Sequence, residues 1–356
     1  MIGGVLRQAR ATGNAEVQLG LDLPLQDLER SAVRGQVKLA GNELLLAPRL
    51  PRLTRARGTV YFSEQGFALA GVQGRLLGGD VRAEGGTIAL PGAEAGGVPR
   101  LRVQGTLTAQ GLRQESQLGS AAALARRMSG STGYTAEFGL RQGVPEFQFN
   151  SSLQGLALDL PAPLSKPAEA VLPLRLQAAL IAAEGVRVEA ATPARRQDLL
   201  RFDLGRLASV RYVREHGDGA VRVLRGAIGV GLAAGESVPL PDEGVVAQVQ
   251  FDALDLDAWR QAMATPAEPA TGGVVVPVAL QDYLPTSVIV QGQTLQVGGQ
   301  TLRQFIAGGT REGRVWRANL DARELSGYAE YRMPAQAGAG SVYARLARLV
   351  LGQENA

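Results

Sequence analysis

The sequence contains no cysteine, which excludes disulfides, thiolate metal sites and cysteine nucleophiles and leaves reducing and oxidising compartments equally open. Its one histidine, His216, sits in Glu215-His216-Gly217-Asp218-Gly219 between two strand-like runs, and reads as an exposed turn residue. A lone histidine without cysteine does not make up the usual zinc set. Lysine is nearly absent: Lys38 and Lys166 are the only two among 37 basic residues, and the formal net charge of +4 is too small and too evenly spread to imply nucleic acid as a partner. No apolar run of about 18 residues occurs, so no helix of the chain is expected to cross a membrane. Residues 2–20 carry Arg7, Arg10 and Glu16 without an apolar stretch, so they do not read as a signal peptide. Aromatic residues make up 5% of the chain, which argues against a sugar-stacking cleft.

Catalytic signatures are missing as well. There is no Gly-x-Ser-x-Gly elbow and no P-loop. Gly229-Val230-Gly231-Leu232-Ala233-Ala234-Gly235 resembles a dinucleotide loop, but three residues precede its last glycine and strands follow, so it reads as a glycine-rich β segment. Asp255 and Asp257 would face different ways on a helix, which favours capping over paired acid–base work. Arg49, Arg52, Arg55 and Arg57 form the densest local charge and suit either a solvated loop or phosphate. We expect no enzyme, no cofactor and no metal site.

What is present is β-forming. Hydrophobic residues account for 45% of the chain and glycine for 46 of 356 residues, a balance that suits many short strands and tight turns. Residues 33–39 alternate apolar or small with polar, the period of a half-buried strand. Gly41-Asn42 is expected to turn the chain into a strand over 43–47. A hairpin is expected over 58–62 and 67–74, with a four-residue loop, 63–66, in which Gly66 supplies positive φ. Further strands are expected at 101–109, 134–140, 146–153, 174–182, 186–190, 199–204, 207–214, 220–230, 245–253, 286–291, 294–297, 314–322, 327–332 and 341–350, consecutive and antiparallel. Helices are expected at 114–128 and after Asp255, where Leu256, Trp259 and Met263 share one face. Linkers or surface loops are expected at 91–99 and 265–273. Two short helices cannot cover an alternating sheet of this length, so either the sheet folds on itself or a ligand covers its apolar face.

Several collinear stretches resemble a known family. Gly41-Asn42-Glu43-Leu44-Leu45-Leu46-Ala47-Pro48, residues 53–58, Val60-Tyr61-Phe62-Ser63-Glu64-Gln65-Gly66-Phe67 and Leu76-Leu77-Gly78-Gly79-Asp80-Val81 are similar to the large YhdP-type, AsmA-like proteins of proteobacteria, relatives of the TamB-like proteins. So are residues 153–167, 251–259 and 341–351. The resemblance implies a mainly β fold, a long curved antiparallel sheet (a repeating β-groove) with a few short helices. It further implies a periplasmic protein anchored in the inner membrane, and a chain that is a C-terminal fragment without its anchor. The implied function is phospholipid transport between inner and outer membranes, with phospholipids as partners and both membranes reached through parts of the full-length protein. A protein-handling scaffold in outer-membrane biogenesis is the alternative.

On this reading the chain divides into groove segments at 1–112 and 131–264, a short helix and connection at 113–130, a linker at 265–275 and a last groove segment at 276–356. Parity selects the lining: Val37, Leu39, Leu44, Leu46, Val60, Phe62, Phe67, Leu69, Leu101, Val103 and Leu107, then Phe147, Phe149, Leu156, Leu158 and Leu160, then Val249, Phe251, Trp316, Ala318 and Leu320. Burying acyl chains there is worth roughly 0.8 kcal/mol per CH₂.

Overall fold

The structure, a computed structural model, describes residues 10–22, 32–45, 51–90, 100–115, 124–141, 144–181, 196–217, 221–263, 278–334 and 340–350. The expected strand at 186–190 and the expected linkers at 91–99 and 265–275 lie outside them. The fold is mainly β and mostly antiparallel, and the chain separates into two units, Met1–Leu158 with Pro167–Leu180, and Asp159–Lys166 with Ile181–Ala356.

The first unit is built from β1 (Arg10–Thr12), β2 (Ala15–Asp22), β3 (Ala32–Leu45), β4 (Leu53–Ser63), β5 (Gly66–Leu76), β6 (Gly79–Gly86), β7 (Arg100–Thr108), β8 (Met128–Arg141), β9 (Val144–Ser151), β10 (Leu156–Leu158) and β11 (Leu174–Leu180). Each strand from β3 to β8 pairs antiparallel with the next; β1 and β2 both pair with β3, β10 pairs with the start of β8, and β11 pairs with β9.

Three local expectations are corrected here. The chain does not turn at Gly41-Asn42: β3 runs through, with register shifts on either side of Asn42. Asn42 is 2% exposed; its Oδ1 accepts from Ala40 N at 2.9 Å, and its Nδ2 donates to the carbonyls of Thr12 (3.1 Å) and Asn14 (3.2 Å). One side chain thereby serves the backbone of a break in the edge strand, where Gly13, at φ 95°, separates β1 from β2. The β4–β5 connection is two residues long, not four, because Ser63 pairs with Gly66.

The helix expected over 114–128 does not hold at its ends, since Gln114 closes α1 (Ala109–Gln114) and Met128 opens β8. Thr108 Oγ1 caps α1 by accepting from Gly111 N at 2.9 Å, which starts the helix earlier than apolar spacing suggested.

The second unit comprises β12 (Arg196–Leu204), β13 (Ala208–His216), β14 (Val221–Val230), β15 (Gly244–Asp255), α2 (Leu256–Met263), a 3₁₀ turn (Val278–Tyr283), β16 (Ser287–Val297), β17 (Gln300–Glu312), β18 (Val315–Asp321), β19 (Leu325–Arg332) and β20 (Ser341–Leu349). Neighbours in sequence are neighbours in the sheet. Two ladders are parallel rather than antiparallel, β14 with β15 and β15 with β16. Each is reached by a connection long enough to return the chain to the same end, the second by way of α2 and the 3₁₀ turn. The runs 286–291 and 294–297 form one strand, β16, and β17 was not anticipated.

The two aspartates near α2 divide the work expected of them as caps. Asp255 Oδ1 accepts from Ala258 N at 2.8 Å and caps the helix. Asp257 instead accepts from Gly298 N (3.0 Å) and Gly299 N (2.9 Å), holding the β16–β17 turn, and those two bonds keep its pKa below the usual carboxylate range.

Candidate functional site

Direct cross-strand partners share a sheet face, so register converts the sequence pattern into surfaces. In the first unit, Val17, Val37, Val60, Leu69, Gly85, Leu101, Phe138, Phe147 and Ala178 stand in one unbroken row over nine strands, β2 to β9 and β11. Val72, Ala83, Val103, Ala136, Phe149 and Leu176 form a second row, and Gly74, Val81, Gly105, Tyr134, Ser151 and Leu174 a third. On the other flank, Leu19, Gly35, Phe62 and Phe67 are aligned. Tyr134 stacks on Phe149 with centroids 5.5 Å apart, and Phe138 on Phe147 at 6.4 Å.

The opposite face is polar. Arg82, Gln104, Thr135, Asn150 and Arg175 make one row, and Glu84, Arg102, Glu137, Gln148 and Gln177 the next, with Arg102 ion-paired to Glu137 at 3.3 Å.

The second unit repeats this division by itself. Leu204, Ala208, Val230, Val249, Val290, Ala307, Leu320, Gly327 and Leu346 are in register across nine strands without a polar side chain among them. The adjacent row runs Phe202, Val210, Ile228, Ala247, Val288, Gly309, Ala318, Ala329 and Ala344. A packed cluster forms where Phe251, Leu254 and Leu320 surround the buried Leu295, Phe305 and Ala307. Toward one end, Tyr283 of the 3₁₀ turn packs edge-on against Tyr212 at 5.0 Å and receives the Tyr212 hydroxyl on its carbonyl at 2.9 Å.

Most residues selected by parity therefore come together on these faces. Val37, Val60, Phe62, Phe67, Leu69, Leu101, Val103, Phe147 and Phe149 lie on the apolar face of the first unit, half-buried, while Leu39 pairs with Ala15 and Gly58, and Leu107 with Thr132. Leu44 pairs with Leu53, on the far side of the Asn42 irregularity. Val249, Phe251, Ala318 and Leu320 lie on the apolar face of the second unit, and Trp316 aligns there with Tyr331 and Val342. Leu156, Leu158 and Leu160 are instead enclosed by protein, at 2%, 7% and 6% exposure, apart from the long rows. Leu46 lies outside the described residues.

Sequence reasoning missed Val17, Leu19 and Leu21 on β2, all more than half exposed, although their alternation was legible. It also missed Phe138, which is 46% exposed and whose strand was expected, and Phe305 with Ala307 on the unanticipated β17.

Polar chemistry enters the apolar side of the second unit at Arg311, the cross-strand partner of Trp316, and around Asp198. Asp198, fully buried, is held by Arg214 through Nε (2.9 Å) and Nη2 (2.5 Å). Burial opposes the charge of Arg214, but Asp198 and Tyr283 together outweigh it and raise the guanidinium pKa. His216 is not the exposed turn residue expected: it ends β13, half-buried, with Nε2 3.0 Å from Asp198 Oδ2. Among the described residues no group of three potential metal ligands occurs, and no helix is long and apolar enough to cross a membrane.

Compared with known proteins, the chain matches one family model over residues 1–356, that described as YhdP protein. No curated protein and no solved structure matches.

Proposed function

From the premise that this chain belongs to the YhdP protein family, we propose that its apolar sheet faces hold phospholipid acyl chains and support phospholipid movement between the inner and outer membranes. In this reading the chain lies in the periplasm, and the full-length protein is anchored in the inner membrane. The observation that carries the reading is the set of three nine-strand rows, one in the first unit and two in the second, apolar or glycine at every position, backed by polar rows on the reverse face of the first unit. Val17, Leu19, Leu21 and Phe138 on the first of these faces are between 46% and 59% exposed, an extent of uncovered apolar surface that marks an interaction site. An acyl chain laid along such rows gains on the order of 10 kcal/mol before its ordering costs, at roughly 0.8 kcal/mol per CH₂. The interaction is nondirectional, so neighbouring positions along the row offer nearly equal binding and the lipid slides without any bond-making step.

A second reading is a scaffold that pairs with strands of a client protein. It is favoured by β20, an edge strand exposed at every residue, with Val342 at 71% and Tyr343 at 62%.

Gentle purification of the chain followed by mass spectrometry of bound lipid tests the first reading against the second. Val103→Asp with Phe149→Asp places two charges in one row of the first unit. The groove predicts stoichiometric phospholipid in the parent protein and its loss from the folded double variant. A folded parent protein without lipid would move the assignment to the scaffold.

A further inference from the structure

The arginine run of β4 does not dissolve into solvent. Register jumps from Thr54 to Arg57 along the β4–β5 ladder, and across this irregularity Thr54, Arg55 and Arg57 all line one side of the sheet, where Arg75 and Arg82 of β5 and β6 join them. Two adjoining depressions result, of about 440 and 740 Å³, sharing Arg55 and Arg75. Their charged and polar lining, Arg75, Asp80, Gln73, Arg82 and Gln104, belongs to the polar face, and Gly74, Val81 and Gly105 complete the wall of the larger one.

Charge is not balanced there. Five arginines face only two carboxylates, Asp80 and Glu115, a local excess of three in a chain whose whole net charge is +4. Arg75 is partly engaged, donating to Gly78 O at 2.8 Å and lying 3.7 Å from an Asp80 side chain that is 94% exposed. The guanidinium groups of Arg52, Arg55, Arg57 and Arg82 make no ion pair or hydrogen bond with any described residue. Elsewhere on the sheets some arginines are matched to carboxylates, as Arg102 is to Glu137, Arg303 to Glu324 and Arg317 to Glu330, and others such as Arg175 and Arg345 stand singly among the described residues; what sets this patch apart is that five gather around two depressions.

Arg55 also holds φ at 54°, a left-handed conformation that is strained for a residue with a Cβ and that glycine would adopt freely. An arginine at a position suited to glycine, over a pocket of unmatched guanidinium groups, points to a ligand.

We propose that this pocket binds a phosphate-bearing anion through the forked donors of Arg55 and Arg75, with Arg52, Arg57 and Arg82 supplying field. Guanidinium presents paired N–H groups that match two phosphate oxygens, which a lysine-poor patch favours over diffuse attraction. The shared chemistry is a phosphomonoester or phosphodiester, from a soluble metabolite or from a headgroup in a membrane surface. The site does not rest on the acyl-chain reading, since its charged lining stands on the polar face.

Calorimetric titration of the 356-residue chain with pyrophosphate at low ionic strength reads the site directly. Saturable one-to-one binding is expected, weakened about tenfold or more by Arg55→Gly and by Arg82→Gln and left unchanged by Arg345→Gln, a charge removed from β20 of the other unit. Arg55→Gly should melt no lower than the parent chain, so loss of binding would not reflect loss of fold. Sedimentation with phosphatidylglycerol and phosphatidylcholine vesicles then separates the sources. Association with phosphatidylglycerol alone, competed by pyrophosphate and lost in Arg55→Gly, identifies a headgroup. Pyrophosphate binding without vesicle association identifies a soluble phosphate. Absence of saturable pyrophosphate binding, or equal weakening by Arg345→Gln, overturns the site.

Discussion

The ring of Phe251 lies across Gly292, its direct neighbour on β16, so closely that a methyl group on Gly292 would overlap it. The same arrangement joins Phe62 to Gly35, Tyr134 to Gly105 and Tyr212 to Gly226, each a cross-strand pair on an apolar face. A glycine leaves its stretch of sheet uncovered, and a neighbouring ring laid over it restores the apolar surface while staying close to the backbone.

Filling one of these positions is expected to expel its ring. Gly292→Val should destabilise the chain by about 1–3 kcal/mol, the usual cost of overpacking. Adding Phe251→Ala should cost less than the sum of the two single changes, because the valine then occupies vacated space. Urea unfolding of the four members of the cycle checks this, and strict additivity would mean that the ring and the glycine are not coupled.

Asn42 serves three backbone groups at once. Asn42→Ala leaves the carbonyls of Thr12 and Asn14 without this donor and is expected to cost about 1–3 kcal/mol. Hydrogen exchange should quicken in β1 and β2 before it quickens in β4 or β5. Uniform quickening across the unit would instead mean that the edge and the interior open together.

Tyr134 and Tyr212 have both been driven to a pKa of about 12 by burial, but only Tyr212 has a hydrogen-bond partner for its hydroxyl. Tyr212→Phe should therefore cost about 0.5–1.5 kcal/mol, whereas Tyr134→Phe, which removes a buried hydroxyl without a partner, should be neutral or stabilising. A phenol whose pKa rises on folding contributes stability below its unfolded value of about 10, and loses it as pH rises through the folded value. Alkaline unfolding between pH 10 and 12 should be less steep in either phenylalanine variant than in the parent chain, as denaturation monitored by circular dichroism will show.

Much of this arrangement was legible in the residues. Alternation in Val33 to Leu39 and in Leu101 to Leu107 reports one buried face directly, because successive side chains of a strand must point to opposite sides. Where the reading split β16 at residues 292 and 293, the pattern was interrupted although the strand was not. The β15–β16 ladder passes over Asp252 and Gln293, and Leu254 and Leu295 return to the packed side that Phe251 occupies. The same interruption hid β17, where Leu302 and Phe305 both reach the packed cluster across Gln304, at φ 52°. Matched irregular residues on adjacent strands change which side the next residue faces without shifting the register, so period-2 reasoning sees an end where there is none. The arginine pocket was half visible: Arg52, Arg55 and Arg57 are close in sequence, but Arg75 and Arg82 reach them only through the β4–β5–β6 register.

The sequence by itself determined that the chain would be mainly β, that its strands would be two-faced, and to which family it belongs, because composition, alternation and collinear motifs are local properties. Tertiary structure alone decided that Val37 and Phe147, 110 residues apart, stand in the same row, that β15 runs parallel to both its neighbours, and that His216 meets Asp198. Those relationships are set by hydrogen-bond register between strands distant in the chain, and register depends on bulges, turns and partners that no single segment contains.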